Sequence, residues 1–285
     1  MITVEATGAL TLVEDLGRPG FAHLGVPRSG AVDQGALRLA NRLVGNPQDA
    51  AGLEVLLGGL VLRWDGGTPV WMAVAGAATT ITVNQSDQAS HRAVVLQPGD
   101  RLTLQPPARG LRSYVAVRGG LDLPPMLGSR STDVLSGLGP DPVRAGDRLV
   151  VGPAAGALPD IDFVVPPAVH GRVVLAVRLG PRADWFTESA QRLLVSATWT
   201  LTADSNRVGA RLAGPTLERT VVRELPSEGV VRGAIQVPTA GQPLIFLADH
   251  PVTGGYPVIA VVEPADVDRL GQLRPGEGVR LRSIT

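Results

Sequence analysis

The strongest constraint on this chain's fold is its punctuation: short alternating or β-branched runs follow one another, separated by glycine and proline. In the first half they are Ile2–Glu5, Leu10–Glu14, Val61–Trp64, Val70–Val74, Thr79–Val83, Ala93–Leu96, Arg101–Leu104 and Ser113–Val117. In the second half they are Val173–Leu179, Thr198–Thr202, Ala234–Val237, Leu244–Leu247, Val258–Val262 and Val279–Arg282. A strand points successive side chains to opposite faces, so short alternating runs bounded by turn formers read as strands. Gly 35 and Pro 24, about a fifth of the 285 residues, supply the turns. The pattern predicts an all-β, mainly antiparallel protein of barrel or sandwich type with few short helices.

Three segments read as helical. Asp33 can cap a stretch whose Leu37, Ala40, Leu43 and Val44 form one apolar stripe, stopped by Gly45-Asn46-Pro47. Pro181–Val195 carries a weaker helical pattern, and Pro264–Leu270 opens on the proline favoured at a first helical position. Residues 152–167 hold four prolines and read as a stiff connector. The expected organisation is an N-terminal β lobe over 1–160 and a C-terminal one over 161–285, with a cleft between them.

The charge inventory excludes several chemistries. Lys+Arg 26 balances Asp+Glu 26, and every one of those cations is arginine. Without lysine, this chain offers no Schiff base, no phosphate-loop lysine and no lysine for covalent biotin attachment. Cys 0 removes thiol nucleophiles, disulfides and cysteine-ligated metals. A neutral total and 4% aromatics give no attraction to nucleic acid or anionic membrane. His23, His91, His170 and His250 lack metal-ligand spacing, so no metal is expected. Ser29 and Ser227 lie outside a Gly-x-Ser-x-Gly elbow, which leaves a serine-hydrolase triad unsupported. Residues 1–10 contain no basic-then-apolar leader and no run approaches a membrane span, so the expected location is the cytoplasm.

Four constellations could carry chemistry. In the glycine-rich run from Glu14 to Asp33, Asp15 and Arg18 either lock a turn as an ion pair, or Arg18 offers its planar fork to a carboxylate or phosphate. Gly128 to Asp133, with Ser129, Arg130, Ser131 and Thr132, stands before a short helical Val134-Leu135. It reads either as an anion cradle at a helix start or as a simple hydroxyl cap. In Ser205 to Leu212, an extended backbone would put Arg207 and Arg211 on one face, for a doubly anionic ligand or for a salt-bridge ladder. Around Gln236-Val237-Pro238 and Asp249 to Pro257, His250 reads as a proton carrier or as an exposed loop histidine, the commoner state for a histidine before proline.

Together these motifs resemble a known family. Asp15 to Asp33, Asn41 to Asn46, Glu54, Gly119-Gly120, Gly128 to Thr132 and Ala145-Gly146-Asp147 follow its pattern. So do Ser205 to Leu212, Gly233 to Pro238 with Gly241-Gln242-Pro243, and Thr253 to Pro257. The resemblance is to the biotin-dependent carboxyltransferase-type family that includes the C subunit of 5-oxoprolinase and allophanate hydrolase subunit 2. It departs from that pattern at Glu14 (commonly Gln), at Val208 (commonly Met) and at Asp141-Pro142.

The resemblance implies two cyclophilin-like β-barrel lobes. It implies companion subunits B and A, with which the chain would form an ATP-dependent enzyme opening 5-oxoproline to glutamate, inactive alone and with ATP shared with those partners. It equally allows a carboxyl-transfer component acting on urea or a related amide, with biotin arriving from elsewhere. A third possibility is a non-enzymatic antagonist of a kinase-inhibitor partner. On this reading Asp15 and Asp249 are the candidate catalytic groups. Arg18, Ser129, Arg130, Thr132, Arg207, Arg211, Gln236 and Tyr256 are the candidates for substrate or anion binding.

Overall fold

The computed structural model describes residues 1–161, 163–165 and 173–284. Pro166, Pro167 and His170 therefore lie outside the described residues. The chain divides into two compact units. One comprises Met1–Arg18, Asp33–Asp133 and Gly137–Ala168; the other comprises Pro19–Val32, Val134–Ser136 and Val169–Thr285.

In the first unit the chain runs β1 (Ile2–Thr7), β2 (Leu10–Glu14), α1 (Gln34–Leu43), β3 (Gly52–Leu56), β4 (Leu60–Trp64), β5 (Val70–Gly76) and β6 (Thr80–Val83). It continues with β7 (Ser86–Ala89), β8 (Ala93–Leu96), β9 (Arg101–Leu104), β10 (Arg112–Val117) and β11 (Arg148–Leu149). These strands form a six-stranded sheet in the order β11-β1-β4-β9-β6-β7 and a five-stranded sheet in the order β2-β3-β10-β5-β8. All their pairings are antiparallel; β1 lies on β4 with Ile2 opposite Trp64 and a bulge between Val4 and Ala6. One apolar core joins the sheets, drawing Val4, Leu62, Ile81 and Leu102 from the first and Leu53, Met72, Val74 and Val115 from the second.

The second unit adds β12 (Val173–Leu179), α2 (Glu188–Ser196), β13 (Thr198–Leu201), β14 (Gly209–Ala213), β15 (Glu228–Gly229) and β16 (Ala234–Gln236). It ends with β17 (Leu244–Phe246), β18 (Thr253–Gly254), β19 (Val258–Val262), α3 (Pro264–Leu270) and β20 (Gly278–Ser283). Seven of these strands close a barrel in the order β12-β19-β16-β17-β14-β13-β20. The seam between β12 and β20 is parallel, with Val173 opposite Val279. Its interior is filled by residues such as Leu175, Trp199, Leu212, Ile235, Ile245, Ile259 and Leu281. The all-β, mainly antiparallel expectation is met. A closed barrel occurs in the second unit, whereas the strands of the first are grouped into two sheets.

Local chemistry sets the helix boundaries. Asp33 caps α1, accepting from the Ala36 amide at 2.9 Å, and Gly45 leaves the helix at φ +70°. The weaker pattern at 181–195 splits into a 3-10 turn, Ala183–Trp185, and α2. Extended Phe186 separates them and the Thr187 hydroxyl supplies a fresh cap. The expected helix at Val134-Leu135 is a correction: residues 134–136 form a turn. Gly137 follows at φ +71°, donating to the Asp133 carbonyl, and prolines at 140 and 142 prevent any helix from continuing.

The Asn41–Asn46 motif fastens α1 to its sheet. Asn41 is fully buried, donating to the Ala50 carbonyl at 2.7 Å and accepting from Asn46 at 3.0 Å. Asn46 in turn donates to the Val117 carbonyl at 2.7 Å and accepts from the Gly119 amide at 2.8 Å. Each removed partner would leave a buried polar group unsatisfied. Asn41→Ala is therefore expected to destabilise the first unit by about 2–3 kcal/mol. Urea denaturation followed in wild type and variant checks this, and a change below about 0.5 kcal/mol contradicts the assigned role.

Candidate functional site

In the second unit, the buried carboxylate of Asp249 collects donors from distant parts of the sequence. Arg207 grips it with two parallel bonds, Nε to Oδ2 at 2.8 Å and Nη2 to Oδ1 at 3.0 Å. The Ser29 hydroxyl donates to Oδ1 at 2.7 Å and the Val134 amide to Oδ2 at 3.1 Å. Arg207 also donates to the Gly30 carbonyl at 2.8 Å. The two side chains are only 3% and 0% exposed, which makes this a desolvated, bidentate pair. Backbone position accounts for the meeting. The amide of Asp249 donates to the carbonyl of Arg207, and that of Leu247 to Val208, as extensions of the β14–β17 pairing.

Ser29 adopts φ +53°, a left-handed backbone that is strained for a non-glycine residue, and is held there with its hydroxyl on Asp249. His250 follows Asp249 directly. It is 7% exposed, with Nδ1 2.7 Å from the Pro251 carbonyl and its ring 5.8 Å from that of Phe246. The expectation of an exposed loop histidine is thus corrected, because the ring packs against Phe246.

Arg207 and Arg211 do not share a face. Strand β14 begins only at Gly209, so the two-residue period does not reach back to Arg207. Arg211 is exposed and, among the described residues, makes no ion pair, so no salt-bridge ladder forms there. Gln236 is a buried strut, donating to the Tyr256 carbonyl at 2.9 Å, with no room for a side chain at Gly254 beside it. The Tyr256 ring is 46% exposed and carries the Arg219 guanidinium 5.9 Å from its centroid. Sequence reasoning missed Arg219 and Ser29; no spacing signal points to either.

The first unit holds a second buried carboxylate, Asp15. Its Oδ1 accepts from the Gly17 amide at 2.7 Å, Ser129 Oγ at 2.7 Å and Ser131 Oγ at 2.5 Å; its Oδ2 accepts from the Arg130 amide at 2.6 Å. The Thr132 amide donates to the Val13 carbonyl at 2.9 Å, completing the strap. Asp15 is thereby a structural clamp for the 128–132 loop, and the expected Asp15–Arg18 ion pair is not formed. The Arg130 side chain turns aside, donating from Nε to the Leu123 carbonyl at 2.6 Å. Arg18 stays buried, donating from Nη2 to the Ser131 carbonyl.

A third buried network surrounds Glu54 on β3. Tyr114 donates to its Oε2 at 2.7 Å and accepts from the Asp33 amide at 2.8 Å, while Arg112 Nε lies 3.3 Å from Oε1. Burial, with Glu54 and Asp33 beside it, pushes the Tyr114 phenol well above its ordinary value. Among the described residues no group of three His, Asp or Glu side chains is placed to hold a metal ion.

With this geometry in place, comparison with known proteins gives the class. Residues 24–283 match the carboxyltransferase domain, subdomain A and B, and the chain belongs to that family. It is 38% identical to the 5-oxoprolinase C subunit of Escherichia coli, across 98% of this chain and 90% of that one. It is 31% identical to the 5-oxoprolinase C subunit of Haemophilus influenzae, across 100% of this chain and 92% of that one. The solved Kluyveromyces lactis urea amidolyase superposes with a TM-score of 0.90 at 31% identity, covering 100% of this chain and only 19% of the larger one.

Two outcomes follow from the buried networks. Removing one partner of a desolvated pair leaves the other charge uncompensated, so Asp249→Ala should cost the second unit about 3–5 kcal/mol. Chemical denaturation measures this, and a near-neutral variant contradicts the burial. The second outcome concerns Tyr114. Its raised folded value means that an unfolded tyrosine, near pH 10, ionises first. The stabilising contribution is therefore complete below about pH 10 and lost as pH rises beyond it. In a Tyr256→Phe chain, where Tyr114 is the one remaining tyrosine, phenolate absorbance should rise together with loss of the native circular dichroism. Phenolate formation in a still-native chain would contradict this.

Proposed function

We propose that this chain is the C subunit of a cytoplasmic, ATP-dependent 5-oxoprolinase that opens 5-oxoproline to glutamate with companion subunits A and B, and that it is inactive alone. The observation that carries the reading is coverage. Kinship with the C subunit of 5-oxoprolinase extends over nearly the full length of both chains, whereas the chain spans about a fifth of the urea amidolyase.

The reaction asks for a lactam C–N bond to be cleaved, with water supplying the new carboxylate oxygen and the amine taking up a proton. That step is uphill without activation, and ATP supplies the driving force through phosphoryl transfer. The described residues do not fit a nucleotide cradle. The donors of the 128–132 loop are turned onto Asp15, and the segment beyond it opens no helix. ATP is accordingly assigned to the companion subunits, and no nucleotide step is given to this chain.

Its own contribution is positional. Asp249 already accepts four hydrogen bonds, so it acts as the group that orients Arg207, Ser29 and the following His250 rather than as a proton acceptor. Of the second-unit candidates read from the sequence, Arg211 and Tyr256 are the exposed ones, with Arg219 over the tyrosine ring, and they are the ones we assign to a carboxylate-bearing small molecule.

A second reading is supported by the urea amidolyase likeness: a carboxyl-transfer component acting on urea or another small amide. These residues include no lysine, so biotin would be carried outside them. Reconstitution separates the two. The two companion subunits and this chain together should hydrolyse ATP in a 5-oxoproline-dependent manner and release glutamate, and omission of this chain should abolish both. Full activity without it overturns the assignment. Urea-dependent activity with a biotin carboxylase in place of the companions supports the alternative.

A further inference from the structure

A strand at the edge of a sheet presents unpaired N–H and C=O groups, and folded proteins normally blunt such edges against other chains. The two sheets of the first unit end on β11 and β7 in one and on β2 and β8 in the other. Three of these edges are blunted. Strand β11 is two residues long, and β7 (Ser86-Asp87-Gln88-Ala89) is polar. Strand β2 is covered by the 128–143 segment, whose Thr132 and Val143 amides donate to the Val13 and Thr11 carbonyls. Strand β8 is different. It reads Ala93-Val94-Val95-Leu96, with no charge, no proline and no bulge in its pairing with β5.

The hydrogen bonds around β5 show which groups of β8 are open. The Trp71 carbonyl accepts from the Arg118 amide on the β10 side, and the Val74 carbonyl accepts from the His91 amide on the β8 side. Backbone groups alternate sides along a strand, so Val70 and Met72 face β8, where they meet Leu96 and Val94. Ala93 and Val95 therefore turn their N–H and C=O groups outward, and among the described residues nothing bonds to them there. His91, at φ +62°, swings its carbonyl out of the ladder to accept from the Val164 amide at 2.9 Å, which brings the connector to this edge just before β8 begins. Phe163 and Val165, on either side of that contact, are exposed. So is Val95, which stands opposite Trp71.

We propose that β8 is a docking edge for a second copy of this chain, the two strands pairing antiparallel about a two-fold axis. With Val94 set opposite Val94 of the other copy, Ala93 of each faces Val95 of the other, and every such pair exchanges both of its hydrogen bonds. Charge and symmetry select this occupant. A two-fold contact sets one patch against itself, so like charges on it would meet. This strand carries none, and Lys+Arg 26 against Asp+Glu 26 leaves no net repulsion between copies. Phe163 and Val165 widen the apolar contact beyond the strand itself. The inference stands apart from the oxoprolinase reading, since self-association needs neither companion subunits nor turnover.

The test is sedimentation velocity of the intact chain over a dilution series, with amide hydrogen exchange measured at both ends of the series. Concentrated chain should sediment as a dimer that dissociates on dilution, and the Ala93 and Val95 amides should exchange about tenfold or more slowly in the dimer. Val95→Pro removes an outward donor without touching a hydrogen bond within the chain, the placement in which edge strands tolerate proline. It should abolish the dimer while circular dichroism stays native. Val95→Lys keeps the donor but sets like charges on diagonal neighbours across the two-fold axis, and should weaken association by about tenfold or more. The wild-type exchange readout holds even if a variant fails to fold. A monomer at every concentration, a dimer surviving both variants, or Ala93 and Val95 amides unmoved by concentration overturns the proposal. Protection already complete at the lowest concentration gives the edge to the chain's own connector, and protection appearing only with a companion subunit gives it to that partner; either result also overturns it.

Discussion

A fully desolvated carboxylate gathering donors from remote stretches of chain is the interaction on which the second unit depends. Asp249 takes bonds from Ser29, Val134 and Arg207, residues separated from it by 220, 115 and 42 positions. Loops cannot be fixed by apolar burial as sheets are, because their backbone polar groups need partners. A carboxylate with four acceptor sites supplies those partners at one point. Asp15 performs the same service in the first unit, for the loop at 128–132.

That solution explains why the glycine-rich motifs look functional from sequence while much of their polarity is structural. Serines and a backbone amide that would suit an anion cradle are instead the ligands of Asp15. Arg18 is itself part of that packing, fully buried and donating from Nη2 to the Ser131 carbonyl. An all-arginine cation set sharpens the contrast, since no member can relieve burial by losing its charge.

The strands were largely legible because most alternate across a half-buried sheet, and α3 was legible from Pro264 at its first position. Strand β3 was not: Gly52, Leu53, Glu54 and Val55 are all buried, and a strand covered on both faces loses its alternation. Short β7 is polar, and its hairpin turns on Asn84 and Gln85 at positive φ, which only weak turn chemistry announces. The site was legible as a set of motifs but not as partnerships. Nothing in spacing pairs Arg207 with Asp249, places Ser29 in a left-handed backbone, or seats Arg219 over Tyr256, because those meetings depend on barrel register.

The assignment of Pro19–Val32 to the second unit has a consequence for biosynthesis. Val32 enters the barrel's apolar core, and its carbonyl accepts a hydrogen bond from Arg232 at 2.7 Å. Its docking surface is translated some two hundred residues later, an interval of roughly 10–40 s at ordinary elongation rates. During that interval the segment emerges from the ribosome with nothing to dock on. Its proline and glycine content then acts as a delay-tolerant design: a strand-forming stretch would aggregate while waiting, whereas this one resists premature pairing until the barrel arrives.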